Sequence, residues 1–181
     1  MCDVKPSTKV MFMRTTKDAK GTETIDIASS VIHPDYDGCI KVLKGNPKYG
    51  VDVAVATLKS APTAKDIVQL PIEYGDQPKV GDSLVIMGYG LDEKGNRGEL
   101  KTGMTTCSEC PEYLSNGVIC AEKNVKQKDQ MFAPGDSGAP VMWKKKDKYV
   151  CIGLNSVDFV SQGVMAFAST KSNRAFIEKN I

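Results

Sequence analysis

The chain has 181 residues, 41% of them hydrophobic and 25% charged, with a formal net charge of +2. That is the size of one globular domain with room for a core, and so small a charge gives no case for a nucleic-acid partner. The longest apolar runs are too short to cross a membrane, and residues 1–9 (MCDVKPSTK) lack the apolar stretch of a signal peptide.

Short β-strands punctuated by Gly, Pro, Asn and Asp are predicted along most of the sequence. A brief apolar run covers 10–14, and 24–32 (TIDIASSVI) alternates with β-branched residues. Residues 51–58 (VDVAVATL) and 83–89 (SLVIMGY) are nearly continuous apolar runs, the pattern of buried strands. Further strands are expected at 98–106, 117–121, 139–143, 149–157 and 163–168. Many short, evenly spaced strands define an all-β sandwich or barrel. The end differs: Ser172 is a candidate N-cap, and Ala175, Phe176 and Ile177 give a short helix its apolar stripe. The run KKKDK at 144–148 reads as a solvated hairpin turn. The GYG at 88–90 lacks the phosphate-binding helix of a nucleotide site.

Six cysteines stand at Cys2, Cys39, Cys107, Cys110, Cys120 and Cys151. Cys107 and Cys110 form a C-x-x-C. Zinc would need two more ligands at a suitable spacing, and a redox pair should open a helix, whereas Pro111 and a polar loop follow. A structural disulfide is the better reading. It favours an oxidising, extracellular or periplasmic compartment. No metal or other cofactor is expected.

Chemistry concentrates in MFAPGDSGAPVMW, residues 131–143. Glycines and a proline crowd Ser137 at a tight turn, where a hydroxyl can be exposed while backbone N–H groups converge on one point. A nucleophilic serine and its oxyanion hole need both.

Three stretches then fall in order: VIHPDYD (31–37), VDVAVATL (51–58) and PGDSGAPV (134–141). Together with VIMGYG (85–90), GLNSV (153–157) and the terminal helix, they make the sequence resemble the trypsin/chymotrypsin-like serine proteases over nearly its whole length. The resemblance implies an all-β double barrel whose first barrel is incomplete here: 1–82 for the remainder of the first barrel, 83–170 for the second, and 171–181 for the helix, all in one domain. It implies a serine endopeptidase acting on protein or peptide substrates, open to protein inhibitors, secreted, monomeric, and without nucleic-acid or membrane partners.

Residue by residue, the resemblance makes Ser137 the nucleophile, the N–H groups of Gly135 and Ser137 the oxyanion hole, and Asp52 the carboxylate that orients the base. Ser156 becomes the strand serine beside that aspartate. Met131 falls at the base of the primary specificity pocket, with walls from Ser156, Asp158 and Gly163; an apolar base implies preference for Leu, Met, Phe or Tyr. Cys120 matches a family cysteine whose partner is Cys110, with Cys107 the alternative. Ala133 stands where the family often has a pocket-bracing cysteine. Cys39 and Lys48 fall in a loop beside the cleft.

The base itself departs from the pattern. In the family it precedes the aspartate by roughly 45 residues, but the only histidine, His33, precedes Asp52 by 19 and belongs to the HPDY segment. Cys2 matches the cysteine directly after the base, which puts Met1 at the base position. The expectation is a downstream part of a protease domain, inactive as given. The alternative is a non-catalytic homologue that binds proteins through the same cleft. The resemblance also implies that a new amino terminus made by activation pairs with Asp136.

Overall fold

In the computed structural model, residues 9–12, 23–36, 48–63, 67–92, 94–114, 117–123 and 130–181 are described. Cys2 and Cys39 lie outside them. Three strands, β1 (Lys9–Phe12), β2 (Glu23–Ile32) and β3 (Ala54–Leu58), form an antiparallel sheet in that order. Six more close into a barrel: β4 (Ser83–Gly88), β5 (Lys101–Ser108), β6 (Val118–Glu122), β7 (Pro140–Lys145), β8 (Lys148–Phe159) and β9 (Val164–Ser169). Around the barrel they run β4-β5-β6-β9-β8-β7, and β4 pairs with β7 to close it. The chain ends in helix α1 (Arg174–Asn180). The fold is all-β, a three-stranded sheet and a closed barrel, with a short C-terminal helix.

Closure follows from the side-chain period. Leu84 and Ile86 on β4, Val141 on β7, Ile152 on β8, and Met165 and Phe167 on β9 fill the interior and are almost wholly buried. Closing the ring leaves the barrel no unpaired strand edge. The Phe167 and Phe132 rings meet edge to face with centroids 5.6 Å apart, an orientation their quadrupoles favour.

The period also selects the disulfide. Cys107 pairs in register with Ala121, and Cys120 with Ser108, so Cys107 and Cys120 point to opposite faces of the sheet. Cys107 faces the barrel core; Cys120 packs with Leu114, Val164 and Ala166 and bonds Cys110. Cys107 stays a free, buried thiol. Burial, then the charges of Asp82 and Glu109, push its pKa up to about 11, the opposite of what a reactive thiolate needs.

Three local expectations change. Residues 51–58 are not one buried strand. Val51 closes a 3-10 turn (Tyr49–Val51), Asp52 follows as its C-cap, and β3 begins at Ala54 with a half-exposed pattern. The sheet here is three strands wide, and a continuous apolar run overstates burial where little packs on the far face. The strand expected from residue 98 begins at Lys101, because Gly98, at φ +88°, donates its N–H to Tyr89 O and closes a loop instead. The helix is flanked by Asn173, not Ser172. The Asn173 amide leaves the helix uncapped and donates to Gly50 O (2.7 Å) and Ser169 O (2.8 Å).

A strap at 71–76 crosses β8. Cys151 N–H donates to Pro71 O, Glu73 N–H donates to Cys151 O, and the Thr170 hydroxyl donates to Glu73 O. The Glu73 carboxylate accepts the N–H groups of Gly75 and Asp76 and pairs with Lys145 at 2.6 Å. The Lys145 bond, then the Gly75 N–H, hold its pKa down to about 2 from 4.5. A depressed carboxyl stabilises the fold above its unfolded pKa and loses that contribution as the pH falls through the folded value. Glu73→Gln should therefore lower stability by on the order of 1–2 kcal/mol at neutral pH, with the gap closing as the pH falls from about 4.5 to about 2. Paired thermal melts across that range check it; a gap independent of pH would remove Glu73 as its cause.

Candidate active site

The turn that carries Ser137 is suspended between two elements. On one flank Gly138 N–H donates to Asn155 O and Asn155 N–H to Ala139 O, fastening it to β8. On the other, Leu91 N–H donates to Pro134 O, fastening it to the chain beyond β4. Gly135 (φ +106°) and Gly138 (φ +81°) take backbone angles that side chains disfavour, which explains the glycines on both sides of the serine. Ser137 is exposed. Among the described residues, nothing engages its hydroxyl, its N–H or the N–H of Gly135.

Asp136 turns the other way. Its Oδ1 accepts Gly90 N–H at 2.7 Å and its Oδ2 accepts Ala133 N–H at 3.0 Å. Gly88 and Gly90 lie against this carboxylate so closely that neither has room for a side chain; a methyl on Gly90 would stand 2.6 Å from Asp136 Oδ1. The GYG that failed as a nucleotide loop is a cradle for a carboxylate. Asp136 also lines a cavity of about 520 Å³ with Met87, Gly103, Gln130 and Met131.

Asp52 is brought beside β8. Ser156 Oγ donates to Asp52 Oδ2 at 2.9 Å, so these two expected partners do meet. The carboxylate also accepts a hydrogen bond from Tyr36. Burial, then the charge of Asp52, then that bond push the Tyr36 phenol above its ordinary range. His33 builds the turn that delivers Tyr36: Tyr36 N–H donates to His33 O, and His33 N–H to Val53 O. Its Nδ1 accepts the N–H of Asp35, and its ring packs on Phe176 with centroids 4.8 Å apart. Among the described residues no histidine touches Asp52 or Ser137.

The expected pocket residues are less closely grouped. Ser156 and Asp158 lie on β8, and Gly163 (φ +69°) sits in the turn into β9, its carbonyl accepting Lys123 N–H. Met131 packs on the barrel core and lines the Asp136 cavity, which Ser156, Asp158 and Gly163 do not. Phe132 is buried against Phe167. Sequence reasoning missed Tyr36, the glycine cradle and Asn155, whose buried Oδ1 lacks a hydrogen-bond partner. The Tyr in HPDY was the available signal for the first; the others depend on contacts that cross the barrel.

These elements match known proteins. The trypsin family model fits residues 2–174, and the chain belongs to that family. No curated protein matches the sequence. Among solved structures it is similar to mouse neuropsin, a serine protease expressed in the limbic system of the brain, with TM-score 0.79 and 18% identity over 97% of this chain and 80% of that one. It is also similar to a mutant of human heparin binding protein, with TM-score 0.73 and 16% identity over 94% of this chain and 75% of that one. At these identities the likeness is one of fold.

Proposed function

We propose that residues 1–181 form a single serine endopeptidase domain that carries the nucleophile, the oxyanion donors and the substrate cleft, and that does not hydrolyse peptide bonds as it stands. Ser137 is the nucleophile, and the N–H groups of Gly135 and Ser137 receive the oxyanion of the tetrahedral intermediate. Asp52, steadied by Ser156 and Tyr36, orients a base; Met131, Ser156, Asp158 and Gly163 bound the substrate side chain. The observations that carry the reading are the pair of unengaged N–H groups at an exposed serine and, on β8, a serine that holds Asp52. A serine hydroxyl does not attack at neutral pH without a base, and the one histidine is occupied in the Tyr36 turn.

The second reading, a protein-binding module, draws on the same facts. Asp52 has two hydroxyl partners without any imidazole, so its carboxylate is held without a catalytic base. In both readings the ligands are proteins or peptides, the chain is a monomer, and the Cys110–Cys120 bond suits a secreted protein.

The test is a fluorescent serine-directed phosphonate. The 181-residue chain should show no labelling above a Ser137→Ala control after hours of exposure. Rapid labelling at Ser137 would overturn the claim that no base serves it.

A further inference from the structure

The flank of the nucleophile turn away from β8 carries a charge that no role so far uses. Residues 91, 92 and 94–98 belong to a loop pinned at several points. Asp92 Oδ1 accepts the N–H groups of Lys94 (2.9 Å) and Asn96 (2.8 Å), Asp92 N–H donates to Asn96 O, and Gly98 N–H donates to Tyr89 O. Leu91 ties the loop to Pro134. The loop is thus docked on the nucleophile turn. It presents Arg97 there: the guanidinium Nε and Cζ lie 3.8 and 3.9 Å from where a side chain on Gly135 would begin.

Arg97 is exposed, and no described residue pairs with it. The described acidic groups nearby are engaged elsewhere: Asp92 caps its own loop, Glu99 pairs with Lys101, and Asp136 is turned to Gly90 and Ala133. On the cleft reading, in which β8 lines the acyl side of a substrate, an exposed cation beside Gly135 on the flank opposite β8 borders the leaving-group side. We propose that Arg97 is a specificity-determining residue of this cleft, selecting peptides with Asp or Glu directly after the residue whose carbonyl faces Ser137. The inference rests on the cleft reading above and adds the chemistry of one half of it. A guanidinium suits this role because it stays charged and meets a carboxylate through two parallel donors.

The probes are fluorescein-labelled ten-residue peptides with a central leucine followed by Asp-Glu, Ala-Ala or Lys-Arg, and binding to the 181-residue chain is followed by anisotropy. The Asp-Glu peptide should bind about three- to tenfold more tightly than the Ala-Ala one, and the Lys-Arg peptide more weakly, in keeping with a partly solvated charge pair. Raising the salt should compress the series. Arg97→Ala should flatten it and Arg97→Glu should invert it. Arg97 is a surface residue, so equal melting temperatures certify the variants. Binding of all three peptides with no charge preference, or a preference that Arg97→Glu leaves untouched, overturns the role of Arg97 while the cleft reading stands. No binding by any of them overturns both.

Discussion

Replacing Met1 by the histidine of a trypsin-family segment ending Ala-Ala-His, fused directly before Cys2, is expected to raise the rate of phosphonate labelling at Ser137 by at least about a thousandfold. The figure follows from the chemistry of the site. In an analogous triad the histidine alone is worth about six decades in kcat, while the oxyanion donors and binding retain a residual three to four decades over water without it. A grafted base placed without refinement should recover part of the difference. It needs Asp52 to accept from its ring. Asp52 gives Oδ2 to Ser156 and one bond to Tyr36, and a carboxylate has about four lone-pair sites, so an acceptor site remains. Tyr36→Phe in the grafted chain should cut the gain several-fold, because the carboxylate would then be steadied by Ser156 alone. Ser137→Ala should abolish labelling. A graft that folds, as judged by its melt, yet labels no faster than the parent chain would remove either Ser137 or Asp52 from the assigned roles. In a graft that does label faster, Asp52→Asn should remove most of the gain, and an unchanged rate removes the aspartate.

Much of this architecture is legible in the chain, and the limits are physical. The barrel strands could be read because each carries its own alternation or apolar run, and the ordered HPDY, DVAV and GDSG segments carried the family. The contact that defines Asp136 could not be read: the aspartate lies 46 residues beyond Gly90 and farther still from Gly88, and a glycine in a turn looks the same whether it frees the backbone or makes room for a carboxylate. The disulfide was legible to two candidates. Only the register of β5 on β6, which sets Cys107 and Cys120 on opposite faces, excludes one of them. Composition misled at Val51, where apolar residues flank Asp52 but the backbone turns through a 3-10 segment to aim the carboxylate at Ser156. The proposed site there overrides the strand pattern, which is where local rules are expected to fail.

Gly88→Ala should destabilise the fold by about 3 kcal/mol or more, lowering the melting temperature by roughly 6–12 °C for a domain of this size. A methyl group at that position overlaps Oδ1 and Cγ of Asp136. The aspartate cannot step aside cheaply. Its two oxygens hold the N–H groups of Gly90 and Ala133, and its own N–H and carbonyl close the turn to Ala133 and Ala139. Moving it breaks charge-assisted bonds worth about 1.5–3 kcal/mol each and strands buried donors. Gly95→Ala is the control: its φ of +80° costs about 1 kcal/mol of strain, but nothing lies within 4 Å of the added methyl, so it should shift the melt far less. The mechanism makes a sharper demand on the double variant. In an Asp136→Ala background the obstructing carboxylate is gone, and Gly88→Ala should cost less than about 1 kcal/mol. If the two substitutions instead add, the clash with Asp136 is not what Gly88 avoids, and the Ser137 turn is not held in the way described.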